Sequence, residues 1–250
     1  LEYLAKLRQV MAEVGGCSIG TVMGRYYAMD RSKNWRLTDI AYNCLVLCEG
    51  RRAPSAESAV QESYANDKTP DNVPMFDEYV PPYVIGDYSG IKDGDSVLHT
   101  NYRQDRAIQL SMAFVDPQYP GSSTTRPQVV YAGLTRYYDE FENYIMGPMS
   151  GSGAMDNLLG EVISKAGLRQ LRIAETQKYR HVTSFFNGKA TTPYKGEDQV
   201  EVKSRFDPAT FASHPEMDAY NVTDELLRRL ENERYDFILV NSANGDMVGH

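Results

Sequence analysis

The chain has 250 residues, of which 42% are hydrophobic and 24% are charged, a composition that suits a globular protein of one large domain or two smaller ones. Its formal net charge of −8 argues against nonspecific binding to nucleic acid or to a membrane surface, which requires a basic stripe. No segment approaches the roughly 18 apolar residues of a membrane span, and the first residues lack the pattern of a signal peptide. We therefore expect a cytoplasmic protein.

Cysteine usage and the chain ends add two expectations. Cys17, Cys44 and Cys48 form an odd set without the spacing of a metal site. We interpret them as small buried hydrophobic residues in a reducing compartment. The sequence begins at Leu1 within a helical pattern and ends at His250 soon after an apolar strand, which favours an internal fragment of a longer protein.

Hydrophobic periodicity in the first half of the chain alternates between helical and extended patterns. Apolar residues recur at helical spacing from Leu4 to Val14, and Ser55 has the character of a helix cap. The predicted elements are a helix at 3–14, a strand at 17–23, helices at 35–47 and 55–66, a loop at 67–82, strands at 83–85 and 96–102, a helix at 105–115 and a strand at 129–134. This alternation predicts an α/β fold with a mainly parallel sheet, whose ligands lie at the carboxyl ends of the strands.

A run of small residues and a proline at 147–153 interrupts these patterns and predicts a linker. We place a domain boundary there, with one α/β domain at 1–150 and a second at 151–250. The elements predicted beyond the linker are a helix at 158–166, a strand at 168–174, a helix at 175–186, a weak strand at 200–202, a helix capped by Thr223 and a strand at 237–240. Leu226, Leu227 and Leu230 are expected to point inward, and the last strand to be buried on both faces.

The run from Gly24 to Arg31 follows an apolar strand and contains Arg25, Arg31, two tyrosines and Asp30. Arginine presents a planar fork of donors that matches phosphate or carboxylate, so this run predicts an anion site. The alternative is a surface ion pair between Asp30 and either arginine.

The same arrangement recurs at Asn101 to Arg106, where Arg103 and Arg106 flank an acid as a helix begins. If both strand ends belong to one sheet, the four arginines converge, and the helix start adds backbone N–H groups. A substrate with a phosphate and a carboxylate would justify such convergence of like charges. The alternative is four separate surface arginines.

Candidate metal and phosphoryl ligands follow the strands of the second domain. Asp246 and His250 are spaced i, i+4, a pair that Mn²⁺ or Zn²⁺ accepts, although two ligands alone do not make a site. A capping Asp with a surface His is the alternative. Lys178 follows another apolar strand and can neutralise a phosphoryl group, unless it lies on a solvated helix face. His99 and His214 are interpreted as structural.

Four blocks together resemble the cofactor-independent (2,3-bisphosphoglycerate-independent) phosphoglycerate mutases, in order and spacing along the chain. They are Gly24–Arg31, Asn101–Arg106, Ala174–Lys178 with His181–Thr183, and Asn241–His250. The resemblance implies a glycolytic isomerase of the alkaline phosphatase superfamily that interconverts 3-phosphoglycerate and 2-phosphoglycerate through a phosphoserine and two Mn²⁺ ions, or other divalent metals. It also implies a monomer with a transferase domain inserted into a phosphatase domain.

By this resemblance, the arginines bind phosphoglycerate, Lys178 lies beside the phosphorylated serine, and Asp246 and His250 bind one manganese. The four arginines are Arg25, Arg31, Arg103 and Arg106. Residues 1–150 then correspond to the C-terminal part of the transferase domain, and 151–250 to the start of the second phosphatase segment. We expect the nucleophile and the remaining metal ligands to lie outside this sequence, so that the fragment alone is inactive. A related metal-dependent phosphatase or phosphopentomutase, and a non-catalytic anion-binding module, are the alternative hypotheses.

Overall fold

The computed structural model describes residues 1–122, 126–147 and 155–249, and the chain divides into two compact units. Unit 1 comprises Leu1–Tyr137 and Asn143–Ile145, and unit 2 comprises Tyr138–Glu142 and Met146–His250. The linker predicted at 147–153 lies, apart from Gly147, outside the described residues. Within the described ranges, no helix is long and apolar enough to cross a membrane.

The first part of the chain forms two small sheets flanked by helices. Its elements are α1 (Glu2–Val14), β1 (Thr21–Val22), α2 (Arg25–Ala28), α3 (Trp35–Leu47), β2 (Arg51–Ala53), α4 (Ala56–Asn66), a 3₁₀ turn (Asp77–Tyr79), β3 (Tyr83–Ile85), β4 (Ser96–His99), α5 (Ile108–Val115), β5 (Val130–Thr135) and β6 (Tyr144–Met146). In the sheet β1-β3-β2 the central strand is antiparallel to β1 and parallel to β2. In the sheet β4-β5-β6, β4 is parallel to β5.

Unit 2 contains one parallel sheet in the order β8-β7-β9. Its elements are α6 (Leu159–Lys165), β7 (Gln170–Glu175), α7 (Thr176–Val182), β8 (Glu197–Val202), a 3₁₀ turn (Pro208–Ser213), α8 (Ala219–Asn232), β9 (Phe237–Asn241) and α9 (Asn244–Met247). The predicted α/β class with mainly parallel strand pairing is confirmed.

The central strand β7 is buried along its whole length, and helices α6, α7 and α8 all contact it. Leu171 and Ile173 pack with Val222 of α8 on one face. On the other face, the guanidinium of Arg172 lies 4.1 Å from the ring centre of Phe186. The alternation of side chains along a strand therefore gives this sheet one apolar face and one face with a buried charge.

Two helices of unit 1 have the predicted bounds. Helix α3 covers Trp35–Leu47, and α4 begins directly after Ser55, as its cap predicts. The Ser55 hydroxyl accepts a hydrogen bond from the Ser58 N–H at 3.1 Å, and the Ser58 hydroxyl accepts one from the Ser55 N–H at 3.1 Å. This reciprocal pair satisfies two N–H groups that a helix start leaves without partners.

Several predicted strand and helix limits are wrong. The strand predicted at 17–23 is limited to Thr21–Val22, and the one at 96–102 ends at His99. Thr223 is not a cap, because α8 begins at Ala219 and the Thr223 hydroxyl donates to the Ala219 carbonyl from within the helix. Strands β2 and β6 are missed, because each contains only three residues and neither is a wholly apolar, buried run like Tyr83–Ile85.

The predicted burial is wrong on one helix and one strand. Leu227 and Leu230 of α8 are 53% and 42% exposed, and Val240 of β9 is exposed as well. No residue of α1 is buried. Of the cysteines, Cys44 is buried, but Cys17 is exposed. Apolar periodicity reports which face of a helix is suited to packing, and it does not report whether these residues have something to pack against.

Candidate anion site and a lysine–aspartate pair

The first arginine run, Gly24–Arg31, begins just after β1, close to the 3₁₀ turn at Asp77–Tyr79. The Gly24 N–H donates to the Val80 carbonyl at 2.8 Å, and a Cβ at Gly24 would lie 2.1 Å from the Glu78 carbonyl oxygen. Only glycine fits this approach. It places Arg25 at the start of α2, where Arg25 Nη2 lies 2.9 Å from Glu78 Oε2.

The end of this run is shaped by Asp30, which is buried. Its carboxylate accepts hydrogen bonds from the Ser32 N–H, the Ser32 hydroxyl and the Asn34 N–H at 3.2, 2.6 and 2.9 Å. A carboxylate that bonds to backbone N–H groups a few residues on fixes a turn. Asp30 therefore holds the loop before α3, and the ion-pair partners shown for Arg25 and Arg31 are Glu78 and Asp105 instead.

The second arginine run, Asn101–Arg106, contacts the first through Asp105, whose side chain is 1% exposed. Arg31 Nη1 lies 2.8 Å from Asp105 Oδ2, and Arg103 Nε lies 3.9 Å from Asp105 Oδ1. Arg106 Nη1 donates to the Met29 carbonyl at 2.8 Å. The structure thus brings the four predicted arginines together, and we call Arg25, Arg31, Arg103 and Arg106 the arginine cluster.

The protonation equilibria in the arginine cluster show how close these charges are. Burial, together with the like charges of Arg31 and Arg25, lowers the pKa of Arg106 to about 10. Burial alone would raise the pKa of Asp105, but the hydrogen bond from Arg31 and the charges of Arg103 and Arg106 hold it below its ordinary value. Arg106 stays charged at neutral pH, so the cluster carries more positive than negative charge.

Two polar atoms of this site are buried without a hydrogen-bond partner, namely Arg31 Nε and Asp105 Oδ1. Arg25 and Arg103 are 50% and 69% exposed, so their guanidinium groups also have donors that face solvent. Excess positive charge and open donors suit an anion with several oxygen atoms, such as a phosphate or a carboxylate.

In unit 2, Lys178 and Asp246 lie at the carboxyl end of the same sheet. Helix α7 follows β7 directly and α9 follows β9, and these two strands are parallel neighbours. Lys178 and Asp246 form an ion pair, with side chains 12% and 46% exposed. The parallel register explains this meeting of residues 68 positions apart in the chain.

The metal prediction is only partly accessible, because His250 lies outside the described residues. Among the residues that are described, no group of three or more His, Cys, Asp or Glu side chains is arranged to hold a metal ion. Asp246 supplies one carboxylate, which is paired with an ammonium group. One paired carboxylate does not fit a divalent metal by itself, since such sites require several ligands.

Sequence reasoning missed Glu175, the buried last residue of β7. Its carboxylate accepts from the Ser204 hydroxyl at 2.9 Å and from the Asp218 N–H at 3.1 Å. Burial raises the pKa of Glu175. These two hydrogen bonds connect the segment after β8 and the start of α8 to the end of β7, which directly precedes the helix that contains Lys178. An acid at the end of an apolar strand is the sequence signal that could have indicated it.

The two histidines interpreted as structural have structural contacts. His99 Nδ1 lies 2.8 Å from the Tyr131 hydroxyl, and burial lowers the pKa of His99 to about 4. His214 stacks on Phe206 with ring centres 4.2 Å apart. Neither lies among the residues of the arginine cluster or of the lysine–aspartate pair.

The fold and this site define a two-unit α/β protein with four arginines gathered at two neighbouring loops. The chain belongs to the family described as the N-terminus of 2,3-bisphosphoglycerate-independent phosphoglycerate mutase, whose sequence profile matches residues 1–139. It is 44% identical over 253 residues to the phosphoglycerate mutase of that type from Clostridium perfringens strain SM101, covering 100% of this chain and 48% of the relative. A Methanosarcina acetivorans relative of the same name is 44% identical, with 99% and 47% coverage.

A solved structure supports the same family relationship. The chain superposes on Leishmania mexicana phosphoglycerate mutase, determined at low cobalt concentration, with a TM-score of 0.85 and 30% sequence identity. The superposition covers 98% of this chain and 46% of that one. The chain therefore spans about half the length of the relatives that it matches.

Proposed function

We propose that this chain is part of a 2,3-bisphosphoglycerate-independent phosphoglycerate mutase, the glycolytic and gluconeogenic isomerase that interconverts 3-phosphoglycerate and 2-phosphoglycerate. The observation that carries the proposal is the convergence of Arg25, Arg31, Arg103 and Arg106 in a chain 44% identical to mutases of that name. Phosphoglycerate carries both a phosphate and a carboxylate, which are the two groups that arginine forks bind best. We also propose a monomer that acts in the cytoplasm.

In this proposal the arginine cluster holds the substrate. Arg25 and Arg103, whose side chains are the more exposed, bind the incoming anion, and the better buried Arg31 and Arg106 fix its orientation. A mutase must keep the glycerate bound while the phosphoryl group changes position. Several guanidinium groups that hold the carboxylate meet this requirement, because they restrict the glycerate to orientations that react.

The proposed division of labour follows the two compact units. Unit 1 is the C-terminal part of the substrate-binding transferase domain, and unit 2 is the start of the second segment of the phosphatase-like domain. Support comes from the family profile, whose match ends at residue 139, close to the division between Tyr137 and Tyr138. The proposed boundary at residue 150 lies within the segment that is not described.

Lys178 is the proposed catalytic residue of this chain. Its ammonium group lies at the carboxyl end of the parallel sheet, mostly buried, and neutralises negative charge on a phosphoryl group during transfer. We propose Asp246 and His250 as ligands of one of two divalent metal ions. Mn²⁺ is the metal that we propose first. Such ions, together with ligands from outside this sequence, would supply further charge neutralisation. The cobalt in the Leishmania structure supports metal use in the complete enzyme.

The test uses the full-length gene product with 3-phosphoglycerate and Mn²⁺, in the absence of bisphosphoglycerate. We expect formation of 2-phosphoglycerate, detected by coupling to enolase. A product that turns over ribose phosphate instead would contradict the proposal in favour of a phosphopentomutase. Binding of phosphoglycerate in calorimetry without turnover, with and without metal, would favour the anion-binding module.

A further inference from the structure

The two arginine runs are joined by a neutral residue that the sequence does not single out. Gln109 lies in the first turn of α5 and is 5% exposed. Its Nε2 donates to Asp30 Oδ2 at 2.8 Å and to the Thr38 hydroxyl at 3.0 Å. Its Oε1 accepts from the Lys33 N–H at 2.9 Å. Both amide hydrogens and the amide oxygen are therefore engaged across 71 to 79 positions of the chain.

These contacts differ in kind from two further links between the runs, the Arg31–Asp105 ion pair and the Arg106–Met29 hydrogen bond. Both links use guanidinium groups that also face an arriving anion. A substrate competes for such donors. The amide of Gln109 is buried and uncharged, so an anion that hydrogen-bonds to the guanidinium groups does not compete for its contacts.

The loop that Gln109 holds has an unusual backbone. Lys33 has a φ of 62°, in the left-handed region, which is unfavourable for a residue with a Cβ atom. The conformation is maintained by the hydrogen bond from the Lys33 N–H to Gln109 and by the turn that Asp30 fixes. Without the amide, this loop would relax toward ordinary backbone angles and carry Arg31 with it.

We propose that Gln109 is a positioning residue that sets the separation of the two arginine runs and thereby the affinity for phosphoglycerate. It acts through Asp30 and the loop at 30–34 and does not touch the substrate. The inference rests on the proposed function, and it adds to that function a residue on which the geometry of the arginine cluster depends.

The decisive variant is Gln109→Glu in the full-length gene product. It keeps the size of the side chain and an acceptor for Lys33, but it places a second carboxylate against Asp30. We expect KM for 3-phosphoglycerate to rise about tenfold while kcat stays within about threefold, because substrate binding weakens and the reacting groups are unchanged.

Two controls separate positioning from a loss of stability or a change of charge. Ser111→Ala removes a buried hydroxyl two residues further along α5, where Ser111 contacts His99 and Tyr131 and not the arginine runs. Gln61→Glu introduces the same charge on the exposed face of α4. Both are expected to leave KM unchanged. If Gln109→Glu does not fold, Gln109→Met is assayed in the same way.

The outcomes separate the two proposals. A wild-type protein that does not convert phosphoglycerate refutes the proposed function. If the wild type is active but Gln109→Glu leaves KM unchanged, only the positioning role of Gln109 is refuted. The same conclusion follows if KM of Gln109→Glu rises no more than KM of Ser111→Ala at an equal loss of thermal stability.

Discussion

The arginine cluster of unit 1 and the Lys178–Asp246 pair of unit 2 are both charged sites, but they are assembled in different ways. In unit 2 each charged residue lies just after a strand of a parallel sheet, and the strand register alone brings the two together. In unit 1 the arginines lie on two loops that depend on buried polar groups, Asp30 and Gln109 among them. The first site is therefore supported by backbone pairing and the second by side chains, which makes the second more sensitive to single substitutions.

The largest expected effect tests function in unit 2. Lys178→Met is expected to lower kcat by about a hundredfold to a thousandfold, because it removes a preorganised positive charge from the proposed phosphoryl path. The fold should tolerate it, since the partner Asp246 is half exposed. Lys165→Met is the matched control, because Lys165 is also paired with a carboxylate, that of Glu161. Equal kcat values for both variants would remove Lys178 from the mechanism.

The second prediction concerns stability in unit 1. Arg31→Met leaves the almost fully buried Asp105 without its closest partner, and we expect a loss of about 3 kcal/mol in the free energy of unfolding. Arg25→Met leaves Glu78, whose side chain is 26% exposed, and the loss should stay below about 1 kcal/mol. Urea unfolding followed by fluorescence of Trp35, the one tryptophan in these 250 residues, measures both. Similar losses would mean that burial does not distinguish the two pairs.

The third prediction separates binding from stability within the arginine cluster. Arg106→Met is expected to raise KM for 3-phosphoglycerate about thirtyfold, since a hydrogen bond to a charged group contributes about 1.5–3 kcal/mol. Unfolding should change by less than about 1 kcal/mol, because removal of this charge also relieves its repulsion with Arg31 and Arg25. A large drop in stability at unchanged KM would assign Arg106 a structural role.

The smallest effect is a difference in pH dependence between the two units. The pKa of Asp105 is below its ordinary 3.8, so its contribution to stability is present above that value and lost as pH falls through the folded-state pKa. Burial raises the pKa of Glu175 above 4.5, so its contribution is present below 4.5 and lost as pH rises through the folded-state pKa. Carboxyl carbon NMR titration, compared with Asp105→Asn and Glu175→Gln, measures both directions. Shifts of the same sign would contradict this assignment.

The sequence predicts much of the framework because its signals are local. Helix α3 and the cap of α4 are recognisable within a few residues, and the strand ends that carry Arg25, Arg103 and Lys178 follow from short apolar runs. The residue types at those ends also indicate an anion site. Each of these inferences needs only neighbouring residues and the rule that ligands gather at the carboxyl ends of strands.

The remaining features depend on contacts between distant segments. Nothing local to Gln109 indicates that its amide meets Asp30, and nothing near Glu78 marks it as the partner of Arg25. The exposure of α1 is equally hidden, because an apolar helix face looks the same whether or not it is covered. Sequence patterns therefore locate the charged residues, and the structure is needed to identify the residues that form ion pairs and hydrogen bonds with them.

The unequal burial of the arginine cluster has a consequence for the entropy of binding. Arg31, 12% exposed, is the most restricted of the three arginines paired with an acid, whereas Arg25 and Arg103 are 50% and 69% exposed and are less restricted by packing. Ordering such a side chain costs about 0.5–1.5 kcal/mol at the moment of binding. If the proposed function holds, a bound anion would meet one rigid guanidinium that sets its orientation and two more exposed ones whose ordering adds to the entropic cost of binding.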